Sequence, residues 1–456
     1  MVARARTRWG GLVGGRRRPT GYFRVAEQDG VFWLDDPDGG LFLSKGINTV
    51  DFEQDRIRHS DIIPYALACN RKYGDRDRWR TAVAQRLTRW GFNTLGAWSD
   101  ELVAVAGASP LAITPTLDLG RSHVWLNVSG PPEEIRQDFP DIFDPTFERH
   151  VRARAQDICA ARREDKHIIG WFIDNELCWG PDWRGPEELL ALFLNLAMDS
   201  PGRVAALDWL RKRHADFEKF NSVWRTPADS WDRLYRSGRI TAPFYRKPPY
   251  ERAAADEDGA NRDEPRRSLF FDDCERFCAD IAARYFSLTS AAIKAADPNH
   301  LLLGCRFAYV PPPAVLGAAA RHNDVISFNC YGLDPKPVMD IYAATGKPCL
   351  IGEFSFRAAD SGLPNTEGAG PVVSTQTERA ACFRRYVVSA LRQPALIGYH
   401  WFEHADQPPE GRFDGENSNF GTVTVNDDVY DELTRAMTSV NADAEDCHIS
   451  AAWVTA

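Results

Sequence analysis

Eight short apolar runs, each too continuous to be a half-exposed strand, punctuate a chain of 456 residues. They occupy residues 41–48, 91–98, 111–118, 168–174, 301–306, 325–331, 349–354 and 396–401. Strands with both faces covered by helices read this way, because neither face meets water. The intervals between them carry helical periodicity instead. Trp79, Val83, Leu87 and Trp90 fall at spacings of four, four and three, one apolar stripe that Asp75 or Asp77 can cap and Gly91 can close. Asp144 and Pro145 give an N-cap followed by proline at the first helical position, ahead of the stripe Phe147, Val151, Ala155 and Ile158. Residues 377–392 form a third such helix before the last run. Strand-then-helix units in series predict an α/β fold, a (β/α)8 TIM barrel. A doubly wound open sheet is the competitor, but no Gly-rich phosphate loop follows any run.

Two departures from a minimal barrel shape the domain reading. Residues 21–40 carry a short N-terminal β-hairpin element with a tight turn, expected to plug or flank the bottom of the barrel. A long insertion after strand 4, about 180–296, holds helices near 201–220 and 273–296. Between these helices a polar segment, 246–265, reads as a mobile excursion near the functional face. Residues 21–440 are thus read as a single catalytic domain and 441–456 as a C-terminal tail. Residues 1–20 carry Arg4, Arg6, Arg8, Arg16, Arg17 and Arg18 with no acid, and no apolar stretch follows as a secretory or twin-arginine leader requires. They are expected to form a flexible, solvated basic arm.

Composition removes whole classes of function. A net charge of -9 argues against a nucleic-acid partner, which needs a basic face. No apolar run reaches the roughly 18 to 20 residues that span a bilayer. The ten cysteines are scattered without a disulfide framework or paired CxxC signature, and Cys274 and Cys278, four apart on a helix, read as packing. A reducing cytoplasm is the expected compartment. The 14 Trp and 13 Tyr are compatible with a carbohydrate site, although large cores use them too.

The chemistry-bearing residues sit where the runs end, because barrel active sites form at the C-terminal ends of strands. Run four ends Asp174-Asn175-Glu176, and run seven ends with Glu353. A carboxylate directly after an apolar strand is costly unless solvated, paired or functional. Two of them, on strands four and seven, would face each other across the mouth. Retaining glycoside hydrolysis needs two such groups roughly 5 Å apart, one to protonate the leaving oxygen and one to attack the anomeric carbon. Asn175 supplies an amide suited to a sugar 2-hydroxyl. The competing reading makes Glu176 and Glu353 loop acids or salt-bridge partners.

Asn175-Glu176 and Glu353 resemble the pattern of the large retaining-glycosidase clan of (β/α)8 barrels, clan GH-A. More narrowly, the stretches GFNTLGAWSD at 91–100, GWFIDNELCW at 170–179 and HWFEHAD at 400–406 resemble the catalytic domain of exo-β-agarases, glycoside hydrolase family 50. The resemblance spans roughly residues 22–440. It implies that Glu176 is the acid/base and Glu353 the nucleophile of an exo-acting, agarase-like β-galactoside hydrolase working by double displacement. It implies further that Tyr331, ending strand six, hydrogen-bonds the nucleophile, that nearby Arg306 holds it ionised, and that Trp401 is a sugar-stacking floor. Asn48, Trp98 and Asp118 end strands one to three, and His404, Asp406, Asn417 and Asn419 lie in a polar loop after strand eight. All are candidates for substrate contact, with packing as the other reading for each.

No cofactor and no metal is expected, since both half-reactions are proton transfer and displacement, and His404 has no matching ligand cluster. Members of that family are usually secreted with a large extra N-terminal domain, and this chain carries neither. Short imported oligosaccharides, rather than gel-forming polymer, are therefore the expected substrate. The alternatives are a broader β-galactosidase or β-glucosidase, and a non-catalytic carbohydrate-binding barrel. The expected partner is an oligosaccharide, with neither nucleic acid nor membrane, and a homo-oligomer stays open.

Overall fold

A computed structural model describes residues 4–14, 18–127, 139–247 and 264–453. Strands β1 (Arg24–Gln28), β2 (Val31–Asp35) and β3 (Leu41–Phe42) form an antiparallel sheet at the start of the chain. The eight apolar runs supply β4 (Ser44–Ile47), β5 (Thr94–Leu95), β6 (Ala112–Ile113), β7 (Gly170–Phe172), β8 (Leu301–Gly304), β9 (Ile326–Asn329) and β10 (Cys349–Phe354). A small pair, β11 (Arg357–Ala358) and β12 (Val372–Val373), precedes the last of them, β13 (Leu396–Trp401).

The eight pair in parallel as a six-stranded sheet ordered β6-β5-β4-β13-β10-β9 and a two-stranded sheet of β7 and β8. Isolated parallel bridges, Ile113 to Ile168 and Thr116 to Phe172 on one flank and Phe307 to Phe328 on the other, connect the two. The neighbour order is the one the sequence predicts, but the ladder is two sheets and not one closed sheet. The breaks have a local cause. The chain turns abruptly at the strand ends, where Trp98, Asp118, Glu176 and Arg306 all adopt left-handed backbone with φ of 58°, 50°, 53° and 48°. Such residues cost of order 1 kcal/mol each and end regular pairing.

Alternation along the strands explains why each run is wholly apolar. Ile169, Phe172, Leu301, Leu303, Leu350 and Ile397 meet in one cluster, while Ile168, Trp171, Ile173, Leu302 and Ile351 belong to the other, which includes residues of the surrounding helices. Both faces of each strand are therefore buried. The first cluster also takes in Trp9, Phe23, Leu34 and Phe42, so the hairpin element and the chain start close the end of the strands remote from the site.

That placement corrects the reading of the basic arm. Among residues 4–14, Trp9 and Leu12 are buried, Leu12 and Leu41 exchange backbone hydrogen bonds of 2.7 and 2.9 Å, and Arg6 is bound to Glu445. Two apolar side chains in so arginine-rich a stretch suffice to dock it; Arg16 and Arg17 lie outside the described residues. The C-terminal tail is corrected too. Residues 431–449 form one helix, Asp431–Ile449, packed along Gln376–Leu391, with Val440, Ala444 and His448 buried.

The predicted helices stand with small changes of boundary. Asp75 caps Arg76–Arg89 by accepting from the Arg78 amide at 2.8 Å, and Asp144 caps Pro145–Ala155 through Thr146 at 2.7 Å. The helix near 201–220 is two helices, Pro201–His214 and Phe217–Trp224, the second capped by Asp216. The helix near 273–296 begins earlier, as Glu264–Ala296, and buries Cys274 and Cys278. The polar segment proposed as an excursion lies largely outside the described residues. Among those described, no helix is long and apolar enough to cross a membrane.

One buried ion cluster joins β4 to residues near both ends of the chain. Lys45 on β4 donates to Glu445 at 2.6 Å and to the Asn441 carbonyl at 3.1 Å, while Arg6 reaches the same carboxylate at 3.0 Å. Burial raises the Glu445 carboxyl, but Lys45 and Arg6 together overcome it and hold the group below its usual range. Glu445→Gln leaves the Lys45 ammonium buried without a counter-charge, and should cost about 3–5 kcal/mol in urea unfolding. A loss under about 1 kcal/mol would show that the cluster is not holding the fold.

Candidate active site

The ends of β7, β8, β9 and β10 place their polar side chains in one hydrogen-bonded chain. Asn329 donates from Nδ2 to Glu176 Oε1 at 2.7 Å and to Asn175 Oδ1 at 3.4 Å. Arg306 donates from Nε to the same Asn175 oxygen at 2.8 Å and from Nη2 to Glu353 Oε1 at 2.5 Å. Tyr331 donates to the other oxygen of the same carboxyl group, Glu353 Oε2, at 2.5 Å. Asn329 and Glu353 are register partners on adjacent strands, which fixes the crossing from one carboxyl group to the other. Gly352 makes room for it, since a methyl group there would meet Asn329 Oδ1 at 2.8 Å.

The two carboxyl groups lie in unlike surroundings. Glu176 is pushed up to about 7, first by burial and then by the charge of Glu353, against the hydrogen bond from Asn329. Glu353 is 5% exposed and accepts from a fully buried guanidinium and a phenol. Burial and the neighbouring glutamates hold the Tyr331 phenol well above its usual range, so it serves as a donor. Burial beside a like charge keeps a carboxyl group protonated toward neutral pH, as a proton donor requires.

A second layer orients these groups. Asp174 accepts from the amides of Gly120 and Arg121 at 2.7 and 3.0 Å and from the Tyr285 hydroxyl, so it receives the first turn of helix Leu119–Asn127 and locks the end of β7. Arg184 donates from Nη1 to the Glu176 carbonyl at 2.8 Å. Beneath Arg306, His400 bonds Ser44 at 2.9 Å, and burial together with the guanidinium lowers its ring to about 3, so it stays neutral.

Of the residues singled out from sequence, Glu176, Glu353, Asn175, Arg306 and Tyr331 converge. Trp98 joins them: it is 39% exposed and its ring centroid lies 4.8 Å from Arg306 Cζ. Asp118 is half-buried beside Arg121 and Arg154, with its carboxyl raised by burial. Six others make their contacts within the protein in this structure. Asn48 spends its amide on the Gly352 and Trp401 carbonyls and on the Ala97 amide. Trp401 is buried against Phe354 and Phe383, its indole donating to the Phe420 carbonyl at 3.0 Å, so it packs in the core and is not a floor. His404 is buried against Tyr65 and Arg86. Asp406 is buried and bound by Asn419, Gly421 and Tyr430. Asn419 is buried with it, and Asn417 accepts from the Thr366 amide at 3.0 Å.

Asn329 and Arg184 escaped the sequence reading. A signal existed for Asn329: an amide inside the apolar run 325–331 must be hydrogen-bonded when buried. Arg184 carried none for the site, since what it holds there is the Glu176 backbone carbonyl. Among the described residues, no group of His, Cys, Asp and Glu is arranged to hold a metal ion.

No family model matches the chain. It is 28% identical over a 514-residue alignment to beta-agarase B of Vibrio sp. (strain JT0107), covering 96% of this chain and 50% of that protein. With beta-agarase A of the same strain it shares 30% over 394 residues, 81% of this chain and 36% of the relative. The chain thus spans half or less of the curated relatives it matches. Among solved structures, the agarase AgWH50C superimposes with a TM-score of 0.76 at 25% identity over 97% of this chain and 68% of its own. An exo-beta-agarase superimposes with a TM-score of 0.75 at 23% identity, covering 97% and 68%. These likenesses show a shared fold across nearly the whole chain.

The hydrogen bond from Asn329 favours the charged form of Glu176. Asn329→Leu should therefore raise the Glu176 titration above about 7, as followed by carbon NMR of the labelled carboxyl group. An unchanged or lowered midpoint would contradict the arrangement.

Proposed function

We propose that the chain is a retaining, exo-acting, agarase-like glycoside hydrolase that cleaves β-galactosidic linkages in oligosaccharides, built on a (β/α)8 barrel. The observation that carries the proposal is the division between Glu176, raised to about 7, and Glu353, clamped by Arg306 and Tyr331. The names of the relatives supply the substrate class, and the ten free thiols support a reducing, cytoplasmic setting. The expected neighbour order of the eight strands, with bridges on both flanks of the β7–β8 pair, supports the barrel reading.

In this reading Glu176 gives its proton to the glycosidic oxygen as the carbon–oxygen bond breaks, and a Glu353 oxygen bonds the anomeric carbon. Arg306 and Tyr331 aim that oxygen and compensate its charge before attack. Asn175 accepts from Arg306 through Oδ1, which turns its Nδ2 to the sugar 2-hydroxyl, where a hydrogen bond strengthens in the transition state. Glu176, now deprotonated, takes a proton from water, which attacks the anomeric carbon and frees Glu353. Proton transfer and displacement complete both halves with side chains alone.

Three outcomes test this. Incubation with aryl β-glycosides and neutral galactan oligosaccharides should release sugar with retained anomeric configuration by NMR; binding without release would mark a non-catalytic barrel. Glu353→Ala should abolish turnover, while Glu176→Ala should lose about 10²–10⁴-fold on oligosaccharides and far less on aryl glycosides with good leaving groups. Because a raised carboxyl stays protonated up to its own midpoint, kcat/KM should fall as pH rises through about 7. A rate that climbs through that range would remove Glu176 from the acid role.

A further inference from the structure

Three tryptophans among the described residues are largely exposed: Trp98, Trp125 and Trp183, at 39%, 41% and 57%. Trp98 and Trp183 stand on the stretches that follow β5 and β7, and Trp125 stands on the helix Leu119–Asn127 that follows β6. Trp183 is the most exposed of the three. It occupies a two-residue turn closed by reciprocal backbone hydrogen bonds between Asp182 and Gly185 at 3.0 and 3.2 Å. Asp182 is buried, accepts from the Arg184 amide at 2.8 Å and pairs with the Arg184 guanidinium at 2.5 Å. The same guanidinium donates to the Glu176 carbonyl and lies 4.6 Å from the centre of the Trp183 ring. One face of an exposed indole is thereby covered by a cation that is itself tied to the proton donor, leaving the opposite face to solvent.

A surface ring needs no such scaffold. A flexible loop would let it fold back on the protein and bury apolar area, whereas this turn prevents that. We infer that Trp183 is a stacking platform for the sugar on the leaving-group side of the scissile bond, positioned by Arg184. This rests on the hydrolase reading, since the proton from Glu176 goes to the leaving oxygen and the departing sugar lies on that side. The ligand class is a neutral pyranose with an apolar C–H face. β-Galactosides present one, because the axial 4-hydroxyl leaves the hydrogens of C3, C4 and C5 together on the other side of the ring. The stack forms without a charge on the sugar, as Arg184 is already neutralised by Asp182.

The test compares two substrates in wild type, Trp183→Ala and Trp183→Phe: a neutral β-linked galactan tetrasaccharide, and β-galactosyl fluoride, whose leaving group has no ring. Trp183→Ala should keep the wild-type thermal midpoint, lose about tenfold in kcat/KM on the tetrasaccharide and be unchanged on the fluoride, with Trp183→Phe recovering most of the loss. Equal losses on both substrates, or none on the tetrasaccharide, would overturn the assignment. If wild type turns over neither substrate, the hydrolase reading fails by itself. Calorimetric binding of the tetrasaccharide then decides: a tenfold weaker Kd in Trp183→Ala upholds the platform, and an unchanged Kd or no binding to wild type refutes it.

Discussion

Everything at the mouth of the strands depends on one guanidinium without solvent. Arg306 is fully buried and reaches Asn175 with one nitrogen and Glu353 with another, so it holds the ends of two strands that never pair with each other. A buried cation is costly unless it is paired, and Arg306 spends Nε and Nη2 on acceptors of matching geometry. Its ring neighbours, Trp98 and Phe172, each lie 4.8 Å from Cζ and complete the enclosure. Displace this side chain, and both the amide beside Glu176 and the carboxyl of Glu353 lose the partner that aims them.

The backbone pays for that arrangement in conformation. Left-handed φ values at Trp98, Asp118, Glu176 and Arg306 recur after consecutive strands, where the chain leaves the sheet. Such strain persists only where the surroundings over-determine it. Here the surroundings are specific: the Glu176 amide donates to the Cys305 carbonyl at 3.1 Å, and the Arg306 amide donates to Ser327 Oγ at 3.0 Å. Cross-strand bonds fix the rim, and they keep Glu176 in the buried position beside Glu353 that raises its carboxyl.

Much of this was legible in the chain itself. Wholly apolar runs report strands buried on both faces, and a glutamate at the end of such a run is conspicuous because it is costly. Direction is what a run does not report. Trp401 and Glu353 both lie in such runs, yet Trp401 turns outward onto Phe383 in the helix layer, while Glu353 stands over the strand ends. His404 and Asp406 looked like loop residues available to a ligand. They are instead internal hydrogen-bond hubs, because the stretch after β13 folds down onto Tyr65, Arg86 and Tyr430. The arginine-rich start of the chain misled in the opposite sense: charge count suggested solvation, and Trp9 and Leu12 decided otherwise.

The shared carboxylate of Glu445 has a consequence for how the molecule is made. It meets Lys45 across 400 positions and Arg6 across 439, among the longest separations the chain allows. On the ribosome β4 emerges 400 residues before Glu445, and its lysine lacks this counter-ion until that stretch has been translated. Contacts of such span are slow to close, since the intervening loop must first surrender its entropy. The ion cluster at β4 is therefore completed only when the helix Asp431–Ile449 docks, long after the strand itself has emerged.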